Sequence, residues 1–417
     1  MKSDLLEDWL DYIDSNRPLE GEFGLDRLSD ISNKILSRPI ASKVIVVGGT
    51  NGKGTTVEFL SNLIRKSKLK VGAYTSPHLF QFNERIRINN RSVSDNEIVN
   101  AFKRIDEIKG ETKLTYFDYA TLAAFQIFVS ESLDVVILEI GIGGRHDPVN
   151  LVDSDISILT NVDLDHQAWL GNTIEKIGAE KSEIFRPKKV AILGSKEMPE
   201  SVINRVHNNG NTAYQLGKDF FIENNGGSWN FINKKNNYEI SDIRLTNLSV
   251  ESAACALVAY GLISNVEVNA KESIEGTSLL GRCDKRDNFV LDVSHNPSSV
   301  KRLKNLLKEY SKDTRVIAII GVMQDKQAAA MIKEINHIVY EWYACSPTLE
   351  RAMSSFDLKQ IILGNSDKKI TEFDSVHSAV EAGYKRKGKD IFVVFGSFYT
   401  VKEAYESLSS LEELSIR

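Results

Sequence analysis

The chain has 417 residues, of which 42% are hydrophobic and 26% charged, so it is long enough for two or three domains with ordinary cores, and we expect two. Its formal net charge of −5 gives no basic footprint, which argues against a nucleic-acid partner. Three acids stand among the first eight residues, where a signal peptide would be basic, and no apolar run approaches membrane-spanning length. We therefore expect a cytoplasmic protein without a membrane partner.

Short β-rich runs alternate with helical patterns in the first half of the chain, which predicts a mainly parallel sheet in an α/β domain. Between residues 215 and 247 the sequence is rich in Asn, Gly and aromatic residues, which predicts a small antiparallel β excursion, followed by a helix at Val250–Leu262. The predicted strands of the main sheet are Lys43–Gly48, Lys70–Tyr74, Asp134–Ile140, Asp155–Asn161 and Lys189–Leu193.

A glycine-rich segment separates the first predicted strand from the helical pattern that follows it. Strand, glycine-rich turn and helix start occur in the order that lets backbone N–H groups and a helix dipole hold the phosphates of a nucleoside triphosphate. Lys53 can reach the outer phosphates, and Thr55 or Thr56 can offer a hydroxyl to magnesium. Val47 stands where the standard P-loop has glycine, so this is a shorter variant, with an ordinary tight βα turn as the alternative. The predicted phosphate-binding residues are Gly49, Thr50, Asn51, Gly52, Lys53, Gly54, Thr55 and Thr56.

Polar residues follow two further strands, at the sheet edge where α/β proteins bind ligands. Glu139 ends one strand, and a carboxylate there can hold magnesium directly or through water; a solvent-exposed acid is the alternative. His166 follows the next strand. Imidazole is an unusual partner for magnesium, so a metal ligand and a structural histidine are both open. Lys181 stands between two acids on a predicted helix, where a surface ion pair is the simplest interpretation.

A second α/β series begins near Phe289. We predict an N-terminal domain over residues 1–282, a linker over 283–288 and a C-terminal domain over 289–417, although the polar run 283–288 is also compatible with a β-turn inside one domain. The predicted strands of this series are Val290–Val293, Arg315–Ile320 and Asp390–Phe395, with a helix at Ser298–Tyr310.

Three polar residues lie in or next to the first strand of this second series. Arg282 could neutralise charge on a transferring phosphoryl group, and Asp292 could accept hydrogen bonds from a ribose. His295 precedes Asn296-Pro297, where proline can open the next helix. The three cysteines, Cys255, Cys283 and Cys345, lack C-x-x-C spacing and are expected to be buried, reduced thiols.

Short motifs occur in order along nearly the whole chain: Trp9-Leu-Asp-Tyr12, Gly49-Thr-Asn-Gly-Lys-Gly-Thr-Thr56, Ser76-Pro-His-Leu79, Glu84-Arg-Ile-Arg87, Thr115-Tyr-Phe-Asp-Tyr119, Glu139-Ile-Gly-Ile-Gly-Gly-Arg145, Asp165-His-Gln-Ala-Trp-Leu-Gly171, Leu291-Asp-Val-Ser-His-Asn-Pro297 and Gly396-Ser-Phe-Tyr-Thr-Val401. Together they resemble the Mur ligase superfamily and, within it, the bacterial bifunctional dihydrofolate synthase/folylpolyglutamate synthase family. The combination is far more specific than any single motif.

The resemblance implies an ATP-dependent amide ligase with an N-terminal P-loop ATPase-type domain, a smaller Rossmann-like C-terminal domain and an active site between them. It makes Lys53, Lys181 and His295 candidate catalytic residues, and assigns nucleotide contacts to Arg282 and Asp292 besides the phosphate loop. Magnesium ligands would be Thr55, Glu139 and His166. Pterin or folate contacts would be Ser76, Pro77, His78, Leu79, Arg85 and Asp165.

The resemblance also implies that Lys181 is the lysine that family members often carbamylate. A carbamate would turn this cation into a carboxylate-like anion able to bind or orient a second magnesium ion, which requires a lysine that can lose its proton, as buried ones can. The chain departs from the family pattern in four places: His146-Asp-Pro-Val-Asn150 replaces Leu-Asp-Ala-Thr-Asn, Glu183 adds a carboxylate near Lys181, Ser252 stands where Asn or Gln often meets adenine, and Gln327 replaces an acid.

The implied reaction starts when a substrate carboxylate attacks the γ-phosphate of ATP, and the amino group of L-glutamate then displaces phosphate from the acyl phosphate. The implied acceptors are 7,8-dihydropteroate and reduced folates extended through the γ-carboxyl, and a monomer is expected. Two alternatives stay open: a monofunctional folylpolyglutamate synthase or other Mur-type ligase, and a nucleotide switch without ligation. The Ser76–Leu79 loop and the second α/β domain argue against the switch, because both suggest substrates assembled in a cleft.

Overall fold

The computed structural model describes residues 3–16, 24–264, 269–308, 314–386 and 388–416. The chain divides into two compact units, Met1–Ser278 and Leu279–Arg417. Among the described helices, none combines the length and the apolar character that a bilayer crossing needs.

The first unit is built on a large sheet whose strands alternate with helices. Its helices are α1 (Leu6–Ser15), α2 (Asp26–Ile35), α3 (Lys53–Lys66), α4 (Asp95–Ile108), α5 (Tyr116–Ser130), α6 (Gln167–Leu170), α7 (Ile174–Ser182), α8 (Glu200–Asn208), α9 (Val250–Ile263) and α10 (Ala270–Glu275), with 3₁₀ turns at Phe82–Arg85 and Pro148–Leu151. The sheet strands are β1 (Ala41–Gly48), β2 (Val71–Tyr74), β3 (Ile86–Ile88), β4 (Arg91–Ser92), β5 (Leu133–Glu139), β6 (Ile156–Leu159), β7 (Val190–Leu193) and β8 (Thr212–Gln215).

The strand order of this sheet, β4-β3-β2-β5-β1-β6-β7-β8, places the glycine-rich loop at its centre. From β2 to β8 in this order, neighbouring strands pair in parallel, whereas β3, near one edge, pairs antiparallel with both β2 and β4. Their buried runs of Val, Ile and Leu are typical of a parallel sheet covered on both faces. Because β1 lies between β5 and β6, the loop that follows β1 stands between the carboxyl ends of those two strands.

The predicted antiparallel excursion is present as a three-stranded sheet of β9 (Phe220–Asn224), β10 (Ser228–Asn233) and β11 (Tyr238–Arg244). Alternate residues of β10, Trp229, Phe231 and Asn233, are buried, as expected of a strand with one covered face. The Ala-rich helix α9 follows and packs along α3, the helix that the glycine-rich loop opens. Small side chains on α9 allow this close approach.

The second unit is a smaller α/β sheet with helices between its strands. Its strands are β12 (Asp284–Arg286), β13 (Phe289–Leu291), β14 (Val316–Ile320), β15 (Val339–Ala344), β16 (Lys369–Glu372) and β17 (Ile391–Phe395), and its helices are α11 (Pro297–Leu307), α12 (Ala328–Ile335), α13 (Ser355–Leu363), α14 (Val376–Lys385) and α15 (Phe398–Ile416). The order is β12-β13-β17-β14-β15-β16, parallel except for the β12–β13 pair. The predicted α/β class is therefore confirmed, including the smaller second sheet.

Residues 283–288, predicted as a linker, instead form part of a β-hairpin inside the second unit. Asp284 pairs with Leu291 and Arg286 with Phe289, so Asp287 and Asn288 form the turn. Asp287 has a φ of 50°, in the left-handed region that short polar turn residues tolerate. The polar composition of residues 283–288 therefore reflects a hairpin with a tight turn. The second compact unit starts at Leu279 rather than at residue 289.

Candidate active site

The glycine-rich loop between β1 and α3 is held by the end of β6. The N–H of Thr50 donates to the carbonyl of Asn161 at 3.0 Å, and the N–H of Asn51 donates to the Asn161 side-chain oxygen at 2.9 Å. The Thr160 hydroxyl donates to the Asn51 carbonyl at 2.7 Å. A Cβ at Gly49 would lie 1.9 Å from that hydroxyl oxygen, and Gly49 has a φ of +137°, so only glycine fits.

Helix α3 begins at this loop in a way that suits an anion. Gly52, with a φ of 85°, is its N-cap residue and supplies no side-chain cap to the first turn. Lys53 lies across the loop, where its Nζ donates to the carbonyls of Gly49 and Thr50 at 3.1 and 3.3 Å. The Thr56 hydroxyl donates to the Gly52 carbonyl at 2.9 Å, so of the two threonines Thr55 is the better candidate for a metal.

Ser252 of α9 braces the same loop from outside the sheet. Its hydroxyl donates to the Gly52 carbonyl at 3.3 Å, and a Cβ at Gly52 would lie 2.8 Å from the Ser252 oxygen. The Ser249 hydroxyl caps α9 by accepting from the Ser252 N–H. A larger side chain at position 252 would therefore press on the phosphate loop.

Glu139, at the end of β5, connects the glycine-rich loop with the Ser76–Leu79 segment. Its carboxylate is buried, which excludes the alternative of a solvent-exposed strand-end acid. Oε2 lies 3.4 Å from the position that a Cβ at Gly54 would take, next to Thr55. The same oxygen accepts the N–H of Ser76 at 3.1 Å. One carboxylate thus lies beside both segments that the sequence singled out.

Lys181 is buried, so its interpretation as a surface ion pair is wrong. Its Nζ donates to the Gly49 carbonyl at 3.1 Å, so the Lys181 amine contacts the backbone of the glycine-rich phosphate loop. Burial, together with the charge of Lys53, lowers the pKa of Lys181 to about 7, although the negative charges of Asp165 and Asp147 act in the opposite direction. Near neutral pH a large share of this amine is uncharged.

Neither acid beside Lys181 along the helix is paired with it. Arg145 reaches Glu183 at 2.8 Å through Nη2 and Glu180 at 3.3 Å through Nε. Glu183 also contacts Arg205. The carboxylate that departs from the family pattern at position 183 is therefore held by two arginines.

Asp147 is a buried carboxylate that the sequence reasoning did not place in the site. It accepts N–H groups from Gly141 at 2.9 Å, Ile142 at 3.0 Å and Val149 at 3.0 Å, and so folds the loop after β5. Burial raises the pKa of Asp147 to about 7 against these hydrogen bonds and the charge of Lys53. The available signal was an Asp-Pro pair at a turn after Gly-Gly-Arg145, where Asp147 caps the 3₁₀ turn.

Asp165 and His166 follow β6, with Asp165 buried and His166 partly exposed. The N–H of His166 donates to Asp165 Oδ1 at 2.9 Å, and His166 has a left-handed φ of 50° where it opens α6. The charge of Asp165 acts on Lys181, so this carboxylate lies near the lysine at the phosphate loop. The family resemblance had assigned Asp165 to the pterin or folate contacts.

The predicted folate loop is held by the 3₁₀ turn that follows it. The Glu84 carboxylate accepts three consecutive backbone N–H groups, those of Leu79, Phe80 and Gln81. Arg85 is buried, and its Nε donates to His78 Nδ1 at 2.8 Å. Of these two turn residues, sequence reasoning proposed Arg85 but not Glu84.

In the second unit, Arg282 and His295 share one aromatic platform. The Arg282 guanidinium carbon lies 5.3 Å from the centre of the Phe398 ring, and the His295 ring centre lies 6.0 Å from it. His295 Nδ1 is 2.9 Å from the Val293 carbonyl, so it donates and leaves Nε2 as the acceptor nitrogen. Sequence reasoning named the arginine and the histidine but missed Phe398.

Asp292, the third predicted residue of this unit, is buried and has local partners. It accepts the N–H of Cys283 at 2.8 Å, and the N–H and hydroxyl of Ser294 at 2.9 and 2.5 Å. The carboxylate therefore fastens the end of β13 to the chain before β12. Cys283 and the two other cysteines are buried and form no disulfide, as predicted.

The residues around Glu139 fit a magnesium ion that is shared with phosphates. Within the described parts of the chain, no group of three or more His, Cys, Asp or Glu residues could hold a metal. Magnesium bound to a nucleotide uses one or two carboxylates and completes its shell with phosphate oxygens and water. The Glu139 carboxylate, beside the helix start that carries Thr55, offers a hard oxygen at the right end of the loop.

The β1–loop–α3 unit, with a carboxylate at the end of the adjacent strand β5, defines a P-loop nucleotide-binding α/β protein. The sequence matches the profile of the Mur ligase middle domain over residues 47–266 and that of the Mur ligase glutamate ligase domain over residues 281–398. A dihydrofolate synthase/folylpolyglutamate synthase of Escherichia coli K12 is 34% identical over 97% of this chain and 96% of its own length. The chain therefore belongs to the dihydrofolate synthase/folylpolyglutamate synthase family of Mur ligases.

Two solved structures agree with this assignment. Escherichia coli FolC in complex with DHPP and ADP superposes with a TM-score of 0.93 at 32% identity, covering 99% of this chain and 100% of FolC. A bifunctional folylpolyglutamate synthase/dihydrofolate synthase with Mn, AMPPNP and L-glutamate bound gives a TM-score of 0.88 at 32% identity, covering 97% of this chain and 98% of that one.

Proposed function

We propose that this chain uses ATP to ligate L-glutamate to 7,8-dihydropteroate and to the γ-carboxyl of reduced folates. The observation that carries the proposal is the position of Glu139, whose carboxylate lies beside Gly54 of the phosphate loop and accepts the N–H of Ser76 in the predicted folate loop. A ligase of this kind needs the γ-phosphate and the substrate carboxylate at one point. The ADP and DHPP of the FolC relative, and the AMPPNP and L-glutamate of the other, support the same ligands here.

The nucleotide would be held by Gly49–Thr56, with Lys53 leaving the loop carbonyls to meet the β- and γ-phosphates. In the second unit, Arg282 would contact phosphate oxygens and Asp292 a ribose hydroxyl.

Divalent metal would be held by Thr55, Glu139 and His166, with a phosphate oxygen and water completing the shell. The Mn of the solved relative supports a divalent ion here, and magnesium is the proposed ion. When bound, the metal supplies positive charge that shields the attacking carboxylate from the triphosphate.

The chemistry proceeds through two displacements. An oxygen of the acceptor carboxylate forms a bond to the γ-phosphorus as the bond to the β,γ-bridging oxygen breaks, giving an acyl phosphate and ADP. Lys53 would stabilise the charge that develops on the leaving oxygens. The uncharged amino group of L-glutamate then attacks the acyl carbon, phosphate leaves, and the amide nitrogen loses its proton. His295 Nε2, the acceptor nitrogen fixed by the Val293 carbonyl, would take that proton.

Lys181 would react with carbon dioxide to form a carbamate. The amine is buried at the phosphate loop, and its lowered pKa of about 7 supplies the uncharged nucleophile that the reaction requires. The carbamate would bind or orient a second magnesium ion. Mass spectrometry of the native protein, with and without bicarbonate, tests for the added mass on Lys181.

The test of the function is ADP release with ATP, magnesium and L-glutamate in three arms: 7,8-dihydropteroate added, tetrahydrofolate added, or neither. Stimulation by both acceptors, with one glutamate added to each by mass spectrometry, is the expected result. Stimulation by tetrahydrofolate alone would reduce the function to polyglutamylation. Acceptor-independent ADP release would contradict ligation and favour a nucleotide switch. A cytoplasmic location, a monomeric state and an N-terminal ATP-binding domain remain predictions.

A further inference from the structure

Two consecutive residues, Glu84 and Arg85, hold the Ser76–Gln81 loop from two sides. The Glu84 carboxylate accepts the N–H of Leu79 at 2.7 Å through Oε2, and those of Phe80 and Gln81 at 2.8 and 2.7 Å through Oε1. Charged acceptors make the stronger class of hydrogen bond, and three amides on one carboxylate fix the backbone between positions 79 and 81. Glu84 therefore sets the path of the loop.

Arg85 holds one side chain of the same loop, that of His78. It is 7% exposed, and its guanidinium carbon lies 5.6 Å from the ring centre of Phe82 and 5.4 Å from that of Tyr116. The Arg85 carbonyl accepts the N–H of Thr75 at 2.9 Å, which ties the start of the loop to the same residue. Packed in this way, the guanidinium aims Nε at His78 Nδ1, 2.8 Å away.

This contact decides which nitrogen of His78 carries the proton. Arginine stays protonated in proteins, so Nε can only donate and His78 Nδ1 must accept. An imidazole that accepts at Nδ1 is uncharged and has its hydrogen on Nε2. We propose that Arg85 is a positioning residue, which acts on the folate-class substrate through His78 by fixing it as an Nε2–H hydrogen-bond donor.

This proposal takes the identity of the substrate from the proposed function. The tautomer of His78 does not depend on that function. The sequence resemblance predicted that Arg85 touches the substrate. In the present proposal Arg85 instead orients His78, and His78 touches the substrate. An arginine that bound the substrate directly would aim its donors outward. Here it is buried between two aromatic rings, with Nε committed to the loop.

The tautomer can be read directly by nitrogen NMR of protein labelled at its seven histidines, with His78 assigned by its absence in His78→Gln. In the wild type, His78 is expected to show a protonated Nε2 and an unprotonated Nδ1. Arg85→Leu should move both resonances toward the average of exchanging tautomers, and the exposed Arg91→Leu on β4 should not. A wild-type His78 with its proton on Nδ1 would overturn the proposal whatever the enzyme does.

Kinetics supply the second readout. Losing one oriented hydrogen bond should raise KM for 7,8-dihydropteroate roughly tenfold in Arg85→Leu, with KM for ATP unchanged. His78→Gln can accept from Arg85 with its oxygen and donate with its nitrogen, so it should stay within roughly threefold of wild type, whereas His78→Met should match Arg85→Leu. The proposal fails if Arg85→Leu keeps the wild-type tautomer yet loses dihydropteroate binding, since Arg85 would then contact the substrate itself.

If Arg85→Leu does not fold, Arg85→Lys provides the same test, because it keeps the charge but has no Nε donor at that position. Its His78 resonances should shift as in the leucine variant. If no acceptor stimulates ADP release in the wild type, the proposed substrate is wrong, but the nitrogen resonances still report whether Arg85 fixes His78. The two failures are therefore separable.

Discussion

The candidate site residues of the two units are held in different ways. In the first unit, charged groups are buried around the phosphate loop, and the pKa values of Lys181 and Asp147 both move to about 7. In the second unit, Arg282 and His295 are half-buried and rest on the ring of Phe398. Buried charges without full pairing reduce stability and are retained where their chemistry is needed. The first unit should therefore carry most of the catalytic effect and the second a smaller share.

The largest effect is expected from Lys53→Ala. If Lys53 meets the phosphates as proposed, removing its positive charge should lower kcat roughly 10²–10³-fold, while circular dichroism shows an unchanged fold. Lys66→Ala, at the other end of α3, is the matched control and should behave as wild type. Turnover in Lys53→Ala equal to that of the control would sink the assignment of this loop to ATP.

A smaller effect is expected from Glu139→Gln, which keeps the shape of the side chain and removes its charge. The magnesium concentration for half-maximal ADP release should rise roughly 10–100-fold, the range seen when support of a metal site is weakened. Glu139 also accepts the N–H of Ser76, a contact that the glutamine oxygen can keep. An unchanged magnesium titration would remove Glu139 from the metal site.

Lys181→Met tests whether the buried Lys181 amine lowers the stability of the folded protein when it is charged. The pKa of Lys181 in the folded chain, about 7, lies below its ordinary value of 10.5, so the folded state binds fewer protons than the unfolded state between these pH values. The destabilisation by Lys181 is complete below pH 7 and fades as the pH rises toward 10.5. The methionine variant should therefore gain thermal stability at pH 6 and lose most of that gain at pH 9.

The control for this measurement is Lys176→Met, an exposed lysine on the same helix, whose effect should not vary with pH. The same Lys181→Met protein should also lose ligation, and added bicarbonate should not restore it. A stability difference that is constant from pH 6 to pH 9 would contradict the lowered pKa of the buried Lys181 amine.

The sequence predicted the elements that build the phosphate loop because local patterns specify them. Strand β1, the glycines and the start of α3 are all within 14 residues, and Gly49 is required by a contact as close as 1.9 Å. Strand β15 was missed because Tyr340 and Glu341 interrupt its apolar run, and β16 because it is short and polar. Their strand character comes from pairing, of β15 with β14 and of β16 with β15, which no local pattern reports.

The same limit applies to the candidate site. Position-by-position resemblance named Lys181, but the local physics favoured a surface ion pair, because burial at the Gly49 carbonyl depends on residues far apart in the chain. Glu84 and Phe398 were not chosen because their contacts are with backbone amides and neighbouring side chains rather than with a recognisable ligand motif. Supporting residues become visible only when the fold brings their partners together.

The smallest effect is expected in the second unit, from Phe398→Leu. A cation–π contact at a partly exposed site contributes roughly 0.5–1 kcal/mol, so loosening Arg282 should raise KM for ATP by roughly two- to fivefold. Phe398→Tyr keeps the ring and should remain near wild type, and Tyr399→Leu controls for the loss of a neighbouring aromatic. If Phe398→Leu lowered kcat as severely as Lys53→Ala, the effect would exceed what one ring contact supplies. The second unit would then hold its site residues as tightly as the first.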